Sequence, residues 1–235
     1  MNSRPYTTLF LLQSLDGKIS TGDVDERDFD KDLPDIPGVK DGLHQYYEIE
    51  QQTDPIAFIT GRVMAKVGAN TNPLEGVKKI PITFVVVDNK PHLTGHGVEF
   101  LAHKFGKPVI VTTDKDHPAY KLLDKYPEIA IVHYDEAIDF ANLFVKLKAD
   151  YGAERMTIQS GGELNAILLR AGLIDEVLVV IAPCLIGGRN TTTLVDGESL
   201  RTSEDLAKIR PLRFKGCTPL KDSYLRLEYE VVNEE

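Results

Sequence analysis

The hydrophobic pattern of the chain divides it into short apolar runs and longer amphipathic segments. Runs that are nearly continuously apolar and rich in β-branched residues are typical of strands covered on both faces. Seven such runs predict strands at residues 7–13, 56–60, 82–87, 109–113, 129–134, 156–159 and 176–182.

Between these runs, apolar residues recur at helical spacing. This pattern predicts helices at residues 43–51, 98–104, 117–125, 135–151 and 163–171. Gly152 and Gly172 follow the last two segments and are typical helix-ending residues. Strands that alternate with helices predict a mostly parallel sheet with helices on both of its faces.

The C-terminal part of the chain has a different pattern. Residues 209–218 and 224–232 are two extended runs, and residues 219–223 between them contain proline, aspartate and serine. This arrangement predicts an antiparallel hairpin. With no Pro-, Gly- or Ser-rich linker in the sequence, we expect one α/β domain over residues 1–235, with a mixed sheet.

Charge and composition exclude several functional classes. The net charge is −9 over 235 residues, which argues against nucleic-acid binding and against docking on anionic lipid. The two cysteines, Cys184 and Cys217, have no metal-binding spacing and suit a reducing compartment. The N-terminal apolar run is too short for a signal peptide, and no run reaches membrane-spanning length. We therefore expect a soluble, cytoplasmic protein.

The six histidines do not predict a metal site. His92 and His96 have the spacing of two ligands on one helix face, but Pro91 and Gly95 argue against a helix there. No zinc site and no other metal is expected.

The strongest candidate for binding chemistry is the segment Ser160-Gly161-Gly162-Glu163-Leu164, where a strand ends, two glycines follow and an amphipathic helix begins. Small residues allow a ligand to approach the backbone, and the amides and dipole of a helix start favour phosphate. The alternative is a plain helix start with Ser160 as its N-cap. The spacing alone leaves both interpretations open, because no complete G-x-G-x-x-G motif is present.

Two further strand ends carry polar residues. Thr60, Gly61 and Arg62 follow one strand, and an arginine at such a turn suits the 2′-phosphate that distinguishes NADP from NAD. The other interpretation of Arg62 is a solvated surface residue. Thr112 and Thr113 end another buried strand, at the edge where ligands of open α/β sheets bind, although threonine is also common there without a ligand.

Ser14, Asp16 and Lys18 lie in a turn after the first strand. The dipeptide Asp16-Gly17 predicts a β-hairpin, which needs no functional explanation. The functional alternative places the three polar side chains at the edge of a cleft, where they orient a substrate. The charged segment 23–32 is expected to be a solvated loop, with a mobile lid as the alternative.

Several of these segments together resemble one family. The chain is similar to the riboflavin-biosynthesis reductase domain, the RibD C-terminal family, in Ser14–Lys18, Gly61-Arg62, Ser160-Gly161-Gly162 with Leu164, residues 171–176 and residues 182–188. The resemblance implies the three-layer fold of dihydrofolate reductase and a homodimer. It also implies NADPH-dependent reduction like that of 5-amino-6-(5-phosphoribosylamino)uracil reductase, with hydride passing to C1′ of the opened sugar.

The resemblance also implies roles for the candidate residues. Gly161 and Gly162, with their neighbours Ser160, Glu163 and Leu164, would hold the cofactor pyrophosphate. Thr60, Gly61 and Arg62 would line the cofactor, with Thr112 and Thr113 at a further strand end. Ser14, Asp16 and Lys18 would face the nicotinamide and the substrate, and Asp16, or a water that it holds, would supply a proton.

The chain departs from the family pattern at three places. Ser160 stands where the family usually has Glu, Met64 where it usually has Thr, and Asn72-Pro73-Leu74 matches a sugar-phosphate segment only partly. The departures open the possibility of another small substrate. Two alternative functions follow: a pterin reductase like dihydrofolate reductase, against which the absence of Trp counts, and a non-catalytic NADP-binding module.

Overall fold

The computed structural model describes residues 3–233. The strands are β1 (Tyr6–Ser14), β2 (Ile56–Thr60), β3 (Ile80–Val87), β4 (Phe105–Thr112), β5 (Ala130–His133), β6 (Arg155–Ile158), β7 (Glu176–Ala182), β8 (Leu212–Pro219) and β9 (Leu225–Val231). The α-helices are α1 (Phe29–Asp32), α2 (His44–Glu50), α3 (Gly61–Lys66), α4 (Gly95–Lys104), α5 (Phe140–Tyr151) and α6 (Gly162–Arg170). None of the helices between residues 3 and 233 combines the length and the apolar character that crossing a bilayer demands.

The chain forms two compact units. The first consists mainly of Asp54–Ser160, and the second combines Tyr6–Thr53 with the chain from Gly161 onward. In the first unit the strands lie in the order β5-β4-β3-β2-β6, and every pair in this row is parallel. The parallel body predicted from the continuous apolar runs is confirmed.

Helices cover both faces of the first unit's strands. Ala57 and Phe58 are neighbours on β2, so their side chains point to opposite faces. Ala57 belongs to the core cluster that contains Leu101 of α4, whereas the Phe58 ring packs edge-on against Phe144 of α5, with 5.6 Å between the ring centroids. This layering agrees with the predicted α/β class.

The second unit carries the antiparallel part of the fold. β1 and β7 are parallel, β9 pairs antiparallel with β7, and β8 pairs antiparallel with β9. The predicted C-terminal hairpin is therefore confirmed, although its first strand begins at Leu212 rather than at residue 209. Pro211 precedes this strand, and a proline has no backbone N–H to donate to a strand ladder.

Two helices begin at other residues than predicted, because side-chain caps set their starts. The helix expected from residue 135 begins only at Phe140, since the Asp139 carboxylate accepts a hydrogen bond from the Asn142 amide at 2.9 Å. The helix expected from residue 98 begins earlier, at Gly95, because the Thr94 hydroxyl caps its first turn. At these two helix starts, the capping residue determines the first residue of the helix, even though the apolar spacing predicts another one.

Three short helical segments contradict the sequence interpretation. The segment 117–125, predicted as an α-helix, contains only the 3-10 helix Pro118–Leu122, whose start is capped by the His117 ring. The segment 23–32, expected to be a solvated loop, ends in α1, where Phe29 is buried in the core. Helix α3 was not predicted, because six residues are too few to show a helical period.

We predict that Phe144→Ala destabilises the protein by about 3–5 kcal/mol, because it removes a fully buried ring that Phe58 packs against. The neighbouring Val145 is 39% exposed, so Val145→Ala is the matched control and should cost less than about 1 kcal/mol. Chemical denaturation of both variants measures the difference. Equal losses would contradict the packing described for α5.

Candidate active site

In the first unit, the carboxyl ends of three parallel strands meet around one residue, Asp88, which directly follows β3. A Cβ atom on Gly61, at the end of β2, would lie 2.3 Å from the Asp88 carboxyl carbon, so only glycine fits there. The buried Thr112 hydroxyl, at the end of β4, donates to the Asp88 carbonyl oxygen at 2.9 Å. Two of the predicted cofactor residues, Gly61 and Thr112, therefore contact Asp88.

The Asp88 carboxylate is buried and accepts hydrogen bonds from several donors. These are the amides of His92 and Leu93, both at 3.0 Å, and the ring nitrogens of His92 and His117, at 3.1 and 3.2 Å. Burial acts to raise the pKa of Asp88, but the hydrogen bonds from His117, His92 and Leu93 outweigh it and hold the pKa below its usual value. Asp88 is therefore an anion at neutral pH.

The two histidines on Asp88 differ in what their second ring nitrogen does. His117 is fully buried, and its Nδ1 accepts a hydrogen bond from the Ala119 amide, which assigns the proton to Nε2 and commits both nitrogens. The His92 ring is 40% exposed, and Asp88 holds only its Nδ1. His96 lies within α4, with its Nε2 at 2.8 Å from the Asn72 carbonyl oxygen, so it shares no helix face with His92.

The remaining candidates of the first unit lie beside this cluster. The Thr60 hydroxyl caps α3, and Arg62 is exposed in the first turn of that helix. The Thr113 amide donates to the Asn89 side chain at 3.1 Å. Met64, which departs from the family pattern, is only 4% exposed and packs in the apolar core. This departure from the family pattern therefore falls on a core position.

In the second unit, Ser14, Asp16 and Lys18 form one hydrogen-bonded turn. The buried Ser14 hydroxyl donates to Asp16 Oδ1 at 2.6 Å and accepts from the Lys18 amide at 3.0 Å. The hairpin predicted from Asp16-Gly17 is wrong: the residues after the turn form no strand, and Lys18 instead makes an isolated antiparallel bridge to Thr193.

The Asp16 carboxylate is exposed and reaches a distant part of the sequence. It accepts hydrogen bonds from the Ile186 amide at 3.1 Å and the Gly187 amide at 2.6 Å. Its pKa falls to about 2, chiefly because Ser14 donates to it, with the two amides adding to the effect. At neutral pH Asp16 is a carboxylate that accepts hydrogen bonds and carries no proton to give.

The two glycines at the start of α6 differ in their surroundings. Gly161 is the N-cap; no side chain caps this helix in the described chain, so the alternative role of Ser160 as the cap is wrong. A Cβ on Gly161 would meet nothing within 4 Å, whereas one on Gly162 would lie 2.3 Å from a carboxylate oxygen of Asp196. Open space for a ligand therefore lies at Gly161, and Gly162 is needed for internal packing. Ser160 is buried, and Glu163 is exposed.

In the second unit, one loop contacts both the turn that carries Ser14, Asp16 and Lys18 and the helix α6. We call this loop, residues 184–196, the anchored segment. Asp16 holds its beginning through Ile186 and Gly187. The Lys18 ammonium donates to the Thr191 carbonyl oxygen at 2.9 Å, and the side-chain amide of Asn165, on α6, donates to the Leu194 carbonyl oxygen at 2.8 Å. No local pattern predicts these contacts, because they join residues far apart in the chain.

Comparison with known proteins identifies relatives of the whole chain. The family model described as the RibD C-terminal domain matches residues 5–224. The chain is 29% identical over 215 residues to 2,5-diamino-6-ribosylamino-4(3H)-pyrimidinone 5′-phosphate reductase of Methanothermobacter thermautotrophicus, covering 88% of this chain and 90% of that protein. The enzyme of the same name from Archaeoglobus fulgidus is 24% identical over 230 residues, covering 88% of this chain and 93% of that protein.

The fold has solved counterparts as well. RibD of Acinetobacter baumannii matches 99% of this chain with a TM-score of 0.67 at 17% sequence identity, and the match covers 59% of the RibD chain. At this identity the likeness supports the fold, whereas the matched residues 5–224 establish the family. The chain therefore belongs to the RibD C-terminal domain family and is an oxidoreductase of the reductase type.

Proposed function

We propose that this chain is an NADPH-dependent reductase acting on a ribosylamino-pyrimidine 5′-phosphate in riboflavin biosynthesis. The observation that carries the proposal is the start of α6, which is open and lacks a side-chain cap, in a chain whose relatives are reductases. Two of these relatives are named as reductases of 2,5-diamino-6-ribosylamino-4(3H)-pyrimidinone 5′-phosphate, and each match covers most of both chains.

The residues at the start of α6 fit a dinucleotide pyrophosphate. Gly161 leaves the space in front of the helix free, and the amides of Gly162, Glu163 and Leu164 lie in the first turn, where a helix presents its unpaired donors. The helix dipole adds a favourable field for phosphate. In the first unit, Arg62 in the first turn of α3 suits a 2′-phosphate, the group that distinguishes NADPH from NADH.

In this proposal NADPH supplies the hydride that reduces C1′ of the opened sugar. The chain contributes positioning. Ser14 and Lys18 fix the turn that carries Asp16, and Asp16 orients the substrate as a fixed negative charge. Because the pKa of Asp16 is near 2, the proton that completes the reduction comes from a water that Asp16 orients.

The proposal includes a single reductase domain, a homodimer and a cytoplasmic location. The family match runs from residue 5 to 224 through both compact units, which supports one reductase domain. The β8 strand exposes Leu212 by 48% and Phe214 by 60%, and an apolar edge strand of this kind suits the interface of a homodimer. The free thiols of Cys184 and Cys217 suit the cytoplasm.

The direct test is NADPH oxidation with a panel of substrates. We expect turnover with the ribosylamino-pyrimidine 5′-phosphates and none with dihydrofolate. Turnover with dihydrofolate would instead support the pterin-reductase alternative. NADPH binding without any turnover would support the non-catalytic module. In that case the hydrogen bonds that Ser14 and Lys18 make within the fold would explain why these residues do not act on a substrate.

We predict that Gly161→Asp weakens NADPH binding by at least about tenfold, because its carboxylate would cap the amides that bind pyrophosphate and would repel the phosphates. Asp is a good N-cap and the backbone of Gly161 is extended, so the protein should remain folded. Gly161→Asn is the matched neutral control and should weaken binding less. Fluorescence titration measures both; unchanged affinity in the Asp variant would exclude pyrophosphate from this helix start.

We predict that the Asp16 contacts stabilise the anchored segment above about pH 4 and are lost as the pH falls toward 2. The pKa of Asp16 in the folded protein is about 2, below the usual 3.8, so the stabilisation is complete above 3.8 and is lost progressively as the pH falls to about 2. Hydrogen-exchange protection of the Ile186 and Gly187 amides should fall over this range. In Asp16→Asn these two amides should have lost most of their protection already at neutral pH, and full protection there would contradict the anchoring role.

We predict that Phe214→Lys converts a dimer into monomers, because it places a charge in the centre of the exposed apolar strip of β8. Light scattering after size-exclusion chromatography gives the mass of each species. Phe214→Leu keeps the same position apolar and should leave the dimer intact. A wild-type protein that is monomeric at micromolar concentration would remove the homodimer from the proposal.

A further inference from the structure

The two most exposed large apolar side chains of the described chain are neighbours in the second unit. Leu185 is 73% exposed and Leu15 is 64% exposed, whereas no other large apolar side chain between residues 3 and 233 is more than 60% exposed. The Leu15 amide donates to the carbonyl oxygen of Cys184, the residue before Leu185, at 2.9 Å. Two loops that are far apart in the sequence therefore form one exposed apolar patch. We call Leu15 and Leu185 the leucine pair.

Hydrogen bonds fix the backbone that carries the leucine pair. Asp16, the residue after Leu15, accepts from the amides of Ile186 and Gly187 at 3.1 and 2.6 Å. The buried Ser14 hydroxyl holds the same carboxylate at 2.6 Å. Because both loops are already held in place, a ligand that packs on the leucine pair has little backbone to order when it binds.

The surroundings of the leucine pair are open and contain a fixed anion. A Cβ atom added at Gly17 or at Gly187 would meet nothing within 4 Å. The Asp16 carboxylate is exposed, and its pKa of about 2 makes it an anion at neutral pH. Its Oδ2 accepts the Gly187 amide, and a carboxylate oxygen can accept a second hydrogen bond. An acceptor is therefore present beside the exposed apolar surface.

This combination suits a small planar ring better than a protein partner. A stable protein interface buries about 800 Å² of each partner, far more than two leucines offer, and its core is depleted in charged residues such as Asp16. A planar ring with N–H groups can pack its apolar surface on leucine and donate to a carboxylate. The substrate named for the relatives carries such a ring, a pyrimidinone with two amino groups.

We infer that the leucine pair determines substrate specificity by packing against the pyrimidine ring, while Asp16 Oδ2 accepts a hydrogen bond from an amino group of that ring. The inference rests on the proposed function, because the ring belongs to the proposed substrate. It extends that function by naming the residues that recognise the base. The roles that the family resemblance implies include neither leucine.

The test is steady-state kinetics of Leu15→Asn and Leu185→Asn with the ribosylamino-pyrimidine 5′-phosphate. Each change replaces an apolar contact by a polar side chain of similar size, so KM should rise about tenfold. Binding of the ring is lost equally in the ground state and the transition state, so kcat should stay within about twofold. NADPH affinity should not change.

Two further variants serve as controls. Leu185→Met keeps the contact apolar and should keep KM near the wild-type value. Leu206→Asn changes a leucine of the second unit that is 58% exposed and lies outside both loops, so it should change neither KM nor kcat.

Leucine-methyl NMR of the wild-type protein gives a second measurement, which a purely structural role would not affect. The methyl resonances of Leu15 and Leu185 should shift on titration with 2,6-diaminopyrimidin-4-one, which is the ring without its sugar. They should not shift with ribose 5-phosphate, which is the sugar phosphate without its ring.

The outcomes separate this inference from the proposed function. If the wild-type protein reduces the substrate and both Asn variants keep its KM, the role of the leucine pair is overturned and the proposed function stands. If the wild-type protein shows no turnover, the proposed function fails; methyl shifts with the pyrimidine probe would then still support the ring site, and their absence would overturn it as well. Asn variants that change the mass of the protein in solution but not KM would assign the pair to a protein contact and overturn the inference.

Discussion

A carboxylate buried among apolar strands determines how the first unit is built at its carboxyl edge. Removing such a charge from water costs several kcal/mol unless hydrogen bonds replace the lost hydration. Asp88 meets that requirement with donors from His92, Leu93 and His117, and the neighbouring residues follow from it. Residue 61 must be glycine because the carboxyl group fills the space of its Cβ.

The second unit has a similar need for hydrogen-bond partners, here nearer the protein surface. Residues 184–196 form no helix or strand, so their backbone amides and carbonyls need partners from elsewhere. Asp16, Lys18 and Asn165 supply them. Asp16 and Lys18, to which the family resemblance assigns substrate-facing roles, therefore also hold the loop in place.

The sequence predicted those parts of the fold that depend on local pattern. Continuous apolar runs located the strands, and two extended runs located the C-terminal hairpin. Helix starts were wrong wherever a single cap decided them, as at Asp139 and Thr94, although such caps are visible in a sequence. Helix α3 has too few residues for any periodic pattern.

The candidate site was harder to predict, because its contacts are long-range. Asp88 and His117 are 29 residues apart, and Asp16 and Gly187 are 171 apart, so no local spacing reveals either pair. The helix start at the glycine pair is confirmed, but the sequence could not separate Gly161, which faces open space, from Gly162, which packs against Asp196. A glycine in the sequence indicates that space is needed at its position, and only the folded structure shows which group occupies that space.

We propose that this member of the RibD C-terminal family passes a hydride from NADPH to the sugar carbon of a ribosylamino-pyrimidine phosphate. The most direct measurement uses NADPH deuterated at the transferable position and mass spectrometry of the product. If the hydride passes to the sugar, the product carries one deuterium, located at C1′ of the reduced sugar. Deuterium absent from the product, or located on the pyrimidine ring, would contradict it.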